Sequence, residues 1–250
     1  MTHDFRARLL RGDRLIGTMI TLPSPEVAEL MASIGFDWLF LDAEHGVLEA
    51  RELQAMLQGA GAAVPCVVRT VAAAEVPIKK ALDVGAAGII APQVNSAAQA
   101  AEVVRLAKYA PTGTRGVGVG RAHGYGLRLP DYLATANEQL AVIVQAEHID
   151  AVAQIEAIVR VAGIDAVLVG PYDLSASLGR LGDVEHPDVV AAIDRVTTVC
   201  RQAGVRLGIF GVSAAAVRPY LARGYTLIVA GLDTLLLGQA AKDVLSQLKP

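Results

Sequence analysis

Short apolar stretches of strand length alternate with alanine-rich stretches of helical periodicity along most of the chain. The apolar stretches, which predict strands buried on both faces, span residues 16–20, 38–41, 66–69, 88–91, 141–145, 166–169, 207–210 and 227–230. The stretches that predict helices span residues 25–34, 49–62, 75–84, 96–109, 150–161, 187–203, 213–223 and 234–248. The pattern therefore predicts eight strand–helix units.

The residues at the ends of these segments support the same alternation. Ser24 precedes Pro25, a pair typical of a helix start. Gly35 and Gly204 follow helical segments, where a left-handed cap favours glycine. Parallel strands need such crossover helices because a hairpin cannot connect them. We therefore expect an α/β protein, a single-domain (β/α)8 TIM barrel over residues 1–250. A doubly wound open sheet is the alternative, but no glycine cluster follows the first strand.

One segment, residues 110–140, interrupts the alternation. It begins with a glycine-rich stretch and ends with a further helical segment at 130–139. Loops of this length in compact domains are usually functional, so we expect a flexible loop over the mouth of the barrel. Arg121 and His123 are its candidate substrate-binding residues, with Arg115 as a further candidate cation. Solvated loop charges are the alternative for both arginines.

Composition excludes several classes of protein. Hydrophobic residues make up 53% of the chain and charged residues 19%, which excludes intrinsic disorder. The net charge is −3 and no basic block is present, so nucleic-acid binding is not expected. The sequence contains no run of about 20 apolar residues, so no membrane span is predicted. The amino-terminal residues do not resemble a signal peptide. The two cysteines lie outside any Cys-x-x-Cys pair, so we expect free thiols in a cytoplasmic protein.

Acidic residues follow two neighbouring predicted strands. Glu147 follows the fifth strand and Asp173 follows the sixth. Catalytic groups of barrels lie at the carboxyl ends of the strands, so the two carboxylates face one mouth. They repel each other unless a proton or a cation lies between them, and oxygen ligands suit Mg²⁺ or Mn²⁺. The alternative is structural, with Asp173 as a helix cap and Glu147 as a solvated helix start.

The second and third predicted strands end in further charged residues. Asp42 and His45 follow the second strand, where a carboxylate close to an imidazole improves it as a base. A histidine that merely ends a strand is the alternative. Arg69 ends the third strand, and its guanidinium there needs an anion. That anion is either the substrate or a carboxylate of the protein, with Asp42, Glu44 and Glu147 as candidates.

Several longer motifs resemble a single enzyme family. They are GFDWLFLDAEHG (35–46), VVRT (67–70), KKALDVGAAGIIAPQV (79–94), YAPTGTRGVG (109–118), LPDYLATAN (129–137), VQAE (144–147), VGPYDLSASLG (169–179) and VAGLDTLLL (229–237). They resemble the HpcH/HpaI family of metal-dependent class II pyruvate aldolases. The resemblance implies reversible aldol cleavage of 4-hydroxy-2-oxo acids through an enolate that a metal stabilises. The products are an aldehyde and either pyruvate or a related 2-oxo acid such as hydroxypyruvate.

The resemblance also implies roles for individual residues in catalysis. The metal ligands fall on Glu147 and Asp173, with Mg²⁺ or Mn²⁺ expected and Co²⁺ or Zn²⁺ as alternatives. The catalytic histidine falls on His45 with Asp42 as its partner, and the residue that stabilises the enolate falls on Arg69. No lysine follows any predicted strand, which argues against a Schiff-base aldolase.

Substrate and subunit contacts follow from the same resemblance. Backbone N–H groups around Gly170, Pro171 and Tyr172 are expected at the substrate carboxylate, although proline has no N–H to offer. Gln145 is expected at the same substrate. Asp83 matches a family residue that reaches the site of a neighbouring subunit, and the family typically forms homohexamers. The expected partners are therefore a small 2-oxo acid, an aldehyde and further copies of the chain.

Three single positions and one loop, residues 120–126 with His123 and Tyr125, depart from the family pattern. Ala43 replaces a glycine, Tyr172 replaces a small residue, and His148 replaces a small hydroxyl residue. These departures affect the aldehyde pocket and the choice of metal.

Two other functions are kept as alternatives. One is a metal-dependent lyase or mutase acting on phosphoenolpyruvate or an acyl-CoA ester, and the other is a non-catalytic barrel that binds a carboxylate.

Overall fold

The computed structural model describes residues 4–249, which form a closed barrel of parallel strands. Each strand pairs with its neighbours in chain order, and β8 closes the barrel against β1. The strands are β1 (Leu15–Ile20), β2 (Trp38–Asp42), β3 (Cys66–Arg69), β4 (Gly88–Ala91), β5 (Ala141–Ala146), β6 (Ala166–Val169), β7 (Arg206–Gly211) and β8 (Leu227–Leu232). The predicted (β/α)8 barrel is confirmed.

Helices surround the barrel, as the alternation predicts. They are α1 (Phe5–Arg11), α2 (Pro25–Ile34), α3 (Ala50–Ala60), α4 (Glu75–Asp83), α5 (Ala97–Ala107), α6 (Leu129–Gln139), α7 (Ile149–Ala153), α8 (Ile155–Ile158), α9 (Pro171–Ser177), α10 (Pro187–Ala203), α11 (Ala214–Ala222) and α12 (Asp233–Leu248). The helix predicted over 150–161 is two short helices, and α1 and α9 were not predicted. None of the helices within residues 4–249 is long and apolar enough to cross a bilayer.

Two apolar cores stabilise the barrel. The larger core lies between the strands and the surrounding helices, where the outward side chains of the strands pack. The smaller core fills the barrel interior and includes Trp38, Val67, Ile143 and Leu227. Burial on both faces is what makes the strands read as continuous apolar stretches.

Helix α1 closes the amino-terminal end of the barrel. Phe5 and Leu9 are buried, and the Phe5 ring lies 5.7 Å from the Trp38 ring. Arg6 forms an ion pair with the buried Asp165 at 2.8 Å. This plug leaves the carboxyl end of the barrel as the open end.

The loop between α5 and α6 lies at the closed end of the barrel, so its predicted position over the mouth is wrong. The loop connects the end of a helix to the start of a strand, and such connections lie at the amino-terminal face of a barrel. Arg121 donates to the carbonyl oxygens of Val84 at 2.9 Å and Leu57 at 3.3 Å. Lys108, just before the loop, donates to the carbonyl of Leu140, which precedes β5.

Helix α12 is the least buried helix among the described residues. Of its residues, Asp233 is buried and almost all the others are exposed. Exposed apolar side chains include Leu237 and Leu248, at 66% and 77%. Two apolar residues of neighbouring elements are also exposed: Ile16 on β1 is 37% exposed and Leu30 on α2 is 56% exposed. A barrel strand normally has its outer face covered by helices, so α12 leaves part of its own barrel uncovered.

Candidate active site

A cavity of about 340 Å³ opens at the carboxyl ends of the strands. Its polar wall contains Thr21, Asp42, His45, Arg69, Gln145 and Asp173. Its apolar wall contains Met19, Phe40, Leu168, Phe210, Val212 and Leu232. Residues 169–172 complete the lining. A cavity with one charged wall and one apolar wall suits a small anion that carries a less polar tail.

Arg69 is buried at the centre of the polar wall. Its Nε and Nη2 atoms donate to the two oxygens of Asp42, each at 2.8 Å. Its Nη1 atom lies 3.1 Å from Oε2 of Glu44, and its guanidinium lies 5.4 Å from the centre of the Phe40 ring. Burial opposes the charge, but the hydrogen bonds that Arg69 donates to Asp42 and the charges of Asp42, Glu44 and Glu147 together outweigh it and raise the pKa of Arg69. The site therefore holds a permanent, oriented positive charge.

Asp42 does not contact the imidazole of His45, so the predicted pairing of these side chains is wrong. The carboxylate accepts from the backbone N–H groups of Glu44 at 3.1 Å and His45 at 3.4 Å. Its two oxygens are otherwise directed at Arg69. The carboxylate nearest to the His45 ring belongs to Glu44, with Oε2 at 3.7 Å from Nε2. The His45 side chain is 65% exposed at the cavity, which leaves it accessible to a ligand.

Glu147 is buried beside the cavity and held by two donors. Its Oε1 accepts from the backbone N–H of Gln93 at 2.7 Å, and its Oε2 accepts from the Gln145 side-chain amide. Burial raises the pKa of Glu147 to about 7, against the lowering effect of the Gln93 N–H. The nearby carboxylates of Glu44 and Asp173 raise it further. A group with these surroundings is stabilised in its charged form by a cation.

The donor set around Glu147 fits a hard divalent cation. Glu147 and Asp173 supply carboxylate oxygens, and the buried Oε1 of Gln145 has no hydrogen-bond partner. Gly170 leaves the space for this arrangement, because a Cβ there would lie 3.0 Å from Gln145 Nε2 and 3.1 Å from Glu147 Oε2. Across residues 4–249, no three His, Cys, Asp or Glu side chains converge on one point. A cation here would complete its coordination with water and substrate.

Helix α9 begins at the same cavity. Gly170 precedes its first turn, and its own N–H donates to the Ala146 carbonyl at 3.1 Å. This N–H is therefore engaged, and Pro171 has none. The first-turn N–H groups of Tyr172 and Asp173 have no partner inside the helix. Tyr172 is 42% exposed and forms one wall of the cavity.

Besides Glu147, which lies beside the cavity, three predicted site residues do not line it. Asp83, at the end of α4, forms an ion pair with the buried Arg115 at 2.7 Å. Arg121 contacts backbone carbonyls at the closed end of the barrel. His123 is fully buried. Within one chain Arg121 and His123 lie away from the cavity, because their loop belongs to the opposite end, and their contact with substrate stays a prediction.

His123 instead organises its own loop. Its Nε2 lies 3.1 Å from the Tyr109 hydroxyl, and its Nδ1 accepts from the Gly120 N–H at 3.2 Å. Its ring meets the Tyr132 ring edge-on at 4.6 Å. Burial lowers the pKa of His123. Both ring nitrogens of His123 are therefore engaged within the loop.

Two further residues belong to the site. Glu44, one of the carboxylates predicted as a possible partner of Arg69, contacts Arg69 and also the His45 ring. Burial raises the pKa of Glu44. Gln93 donates its backbone N–H to Glu147, and a backbone contact of this kind cannot be predicted from the pattern of side chains in the sequence.

Comparison with known proteins agrees with this site and fold. Residues 16–240 match the HpcH/HpaI aldolase/citrate lyase family. The chain is 39% identical to the 2-keto-3-deoxy-L-rhamnonate aldolase of Klebsiella pneumoniae, covering 100% of this chain and 94% of that protein. It is 40% identical to the hydroxypyruvate/pyruvate aldolase of Pseudomonas aeruginosa, covering 99% and 93%.

A solved structure shows the same architecture over the full length. A HpcH/HpaI aldolase/citrate lyase family protein from Burkholderia cenocepacia superposes with a TM-score of 0.95 at 39% identity, covering 100% of both chains. Match length and identity together establish membership. The chain belongs to the HpcH/HpaI aldolase family of carbon–carbon lyases.

Proposed function

We propose that the protein catalyses reversible aldol cleavage of 4-hydroxy-2-oxo acids to an aldehyde and pyruvate or hydroxypyruvate. The observation that carries the proposal is the cavity that buried Arg69 and Asp173 line, with the buried Glu147 carboxylate beside it and close enough to Asp173 for the two charges to interact. The aldolase names of the relatives support the same reaction. The reaction needs an electrophilic centre for the 2-oxo acid, a proton carrier and space for an aldehyde, and each has a candidate here.

We assign the cation site to Glu147 and Asp173, with Mg²⁺ or Mn²⁺ as the expected ion. A bound divalent cation would supply Lewis-acid polarisation of the 2-oxo acid. Glu147 and Asp173 hold that ion, and Gln145 fixes one Glu147 oxygen while presenting its own unpartnered Oε1. The N–H groups of Tyr172 and Asp173 are the remaining donors for the substrate carboxylate.

Arg69 stabilises the negative charge that develops on the oxygen of the enolate. The guanidinium is held by Asp42 on one side and Glu44 on the other, so it needs no reorganisation during the reaction. Preorganised charge of this kind is usually the largest single contribution to catalysis. Asp42 is therefore a positioning residue for Arg69.

His45 moves the proton at the reacting centre. Its ring is the exposed imidazole at the cavity, and Oε2 of Glu44 lies 3.7 Å from its Nε2. An imidazole accepts and returns a proton near neutral pH. The aldehyde portion would lie against the apolar wall, with Tyr172 beside it.

The protein is proposed to act as a homo-oligomer, with a hexamer expected. The exposed apolar side chains of α12 and the uncovered outer face of β1 and α2 support this assembly. Asp83 would then serve a neighbouring site from the closed end of its own barrel, held in place by Arg115. Mixing inactive His45→Ala subunits with Asp83→Asn subunits would restore activity in this arrangement. A mixture as inactive as its parts would exclude it.

The experiment that tests the reaction is an assay of aldol cleavage over a panel of 4-hydroxy-2-oxo acids. Release of pyruvate or hydroxypyruvate is followed with and without a chelator. We expect cleavage that requires Mg²⁺ or Mn²⁺ and is not trapped by borohydride. Full activity after exhaustive chelation, or irreversible inactivation by borohydride with pyruvate, would contradict the proposal.

A further inference from the structure

Gln93 has an unusual backbone conformation at the mouth of the barrel. Its φ is +54°, in the left-handed region that residues with a side chain rarely adopt. Tyr125 is the other non-glycine residue in residues 4–249 with a positive φ, and it lies on the loop at the closed end. Such a conformation persists only where the surrounding structure imposes it.

Both neighbours of Gln93 are fixed in the protein. Pro92 and Val94 are buried, whereas the Gln93 side chain is exposed. Pro92 has no N–H, so the N–H of Gln93 is the first one available after β4 ends at Ala91. The left-handed turn permits Val94 to enter the core while the Gln93 N–H points toward Glu147.

The contact made by this N–H is specific. It donates to Oε1 of Glu147 at 2.7 Å, and that carboxylate is one of the two proposed cation ligands. The remaining oxygen of Glu147 is held by Gln145. A negative φ at residue 93 would turn the peptide that carries the N–H, or would move Val94 out of the core.

We propose that Gln93 is a positioning residue whose left-handed backbone aims its N–H at Glu147 and orients that carboxylate for a divalent cation. The inference rests on the cation site of the proposed function and adds a requirement to it. Residue 93 acts through its backbone, so the identity of its side chain matters through the conformation that it permits. Glycine and asparagine permit the left-handed region, alanine resists it, and a β-branched residue resists it most.

The test is the affinity of a graded series of variants for Mn²⁺ alone, measured by calorimetry and by the electron paramagnetic resonance signal of free Mn²⁺. We expect Gln93→Gly and Gln93→Asn to bind within about twofold of the wild type. Gln93→Val should bind about tenfold more weakly, the cost expected when a hydrogen bond to a charged group is lost. Gln93→Ala should lie between them, and it carries the test if the valine variant does not fold.

A matched control separates this effect from general backbone strain. Tyr125→Val places a β-branched residue at the other positive φ, far from the cavity. It should lower the melting temperature and leave Mn²⁺ affinity unchanged. Saturating Mn²⁺ should restore kcat in Gln93→Val, because the variant disturbs a ligand and not the reacting groups.

Three other outcomes would contradict the inference, and a fourth would contradict only the proposed reaction. Equal Mn²⁺ affinity in folded Gln93→Val and wild type would overturn it. Loss of affinity in Gln93→Gly as large as in Gln93→Val would also overturn it, because the side chain would then be responsible. A wild-type protein that binds no Mn²⁺ would overturn the cation site together with this inference. Mn²⁺ binding without aldol cleavage would refute the proposed reaction alone.

Discussion

At the scale of single residues, Arg69 combines a fixed charge with a fixed orientation. Its fork geometry satisfies both oxygens of Asp42 and still reaches Glu44. A lysine keeps the charge but cannot form these bonds together. We therefore expect Arg69→Lys to fold and to lose about 10²–10³ in kcat, the usual cost of removing one stabiliser of an oxyanion.

Comparison with a ligand variant checks the assignment of Arg69. Glu147→Gln should also lose activity, but excess Mn²⁺ should partly restore it because mass action refills a weakened site. Excess Mn²⁺ should not restore Arg69→Lys. Steady-state kinetics across a Mn²⁺ titration distinguish the two variants. Equal rescue of both would show that the roles are wrongly divided.

The pKa of Glu147 predicts how Mn²⁺ affinity depends on pH. Burial raises this pKa from 4.5 to about 7, so binding must displace a proton at lower pH. We expect Mn²⁺ affinity to fall about tenfold for each pH unit below 7 and to level off above it. Calorimetry in buffers of different ionisation heat measures the released proton. Affinity independent of pH between 5 and 8 would contradict this interpretation.

The same shift predicts the stability of the metal-free protein. Between pH 4.5 and about 7 the folded chain binds more protons at Glu147 than the unfolded chain does. The contribution of Glu147 to stability is therefore complete below this window and is lost as the pH rises through it. Added Mn²⁺ should reverse the loss above pH 7.

At the scale of elements, the loop between α5 and α6 is a separate unit that His123 holds together. We expect His123→Ala to lower the free energy of unfolding by about 2–4 kcal/mol, because buried ring packing and two hydrogen bonds are lost. Mn²⁺ affinity should not change. Leu127→Ala, at a 92% exposed position of the same loop, is the control and should stay within about 0.5 kcal/mol of wild type. If His123→Ala binds Mn²⁺ more weakly and its free energy of unfolding is unchanged, His123 contributes to the active site and not to the stability of the loop.

Elements were predictable where local patterns decide them. Every predicted strand is a strand of the observed barrel, and its ends differ from the observed ends by at most two residues. Strands that are buried on both faces consist of continuous apolar residues, and this pattern is visible in the sequence. The position of the loop was wrong because its length suggested function, whereas its place after a helix and before a strand fixes it at the closed end. Helix α1 was missed because seven residues carry little periodicity.

The site was predictable where residues follow strand ends. Barrel geometry brings Asp42, Arg69, Gln145 and Asp173 to one cavity, as the chain order implies. Side-chain pairing was not predictable from spacing, and Asp42 contacts Arg69 in place of the His45 ring. The contact of the Gln93 N–H with Glu147 depends on a backbone angle that the sequence does not display.

At the scale of the whole molecule, α12 predicts assembly. Leu237, Val244 and Leu248 lie on one face of the helix at helical spacing, and they are 66%, 60% and 77% exposed. An exposed apolar stripe of this kind marks an interaction surface. We expect Leu237→Asp combined with Val244→Asp to lower the mass measured by light scattering. Gln239→Asp is the control, and a monomeric wild type or an unchanged mass in the double variant would contradict the prediction.

The central claim is that the cavity forms an enolate from a 2-oxo acid with the help of a divalent cation. Exchange of the methyl protons of pyruvate with solvent deuterium, followed by nuclear magnetic resonance, reports this step without any aldehyde. We expect exchange with Mg²⁺ or Mn²⁺, loss of exchange on chelation, and slow exchange in His45→Ala and Arg69→Lys. Exchange that survives chelation, or that is absent in the wild type with either cation, would contradict the account.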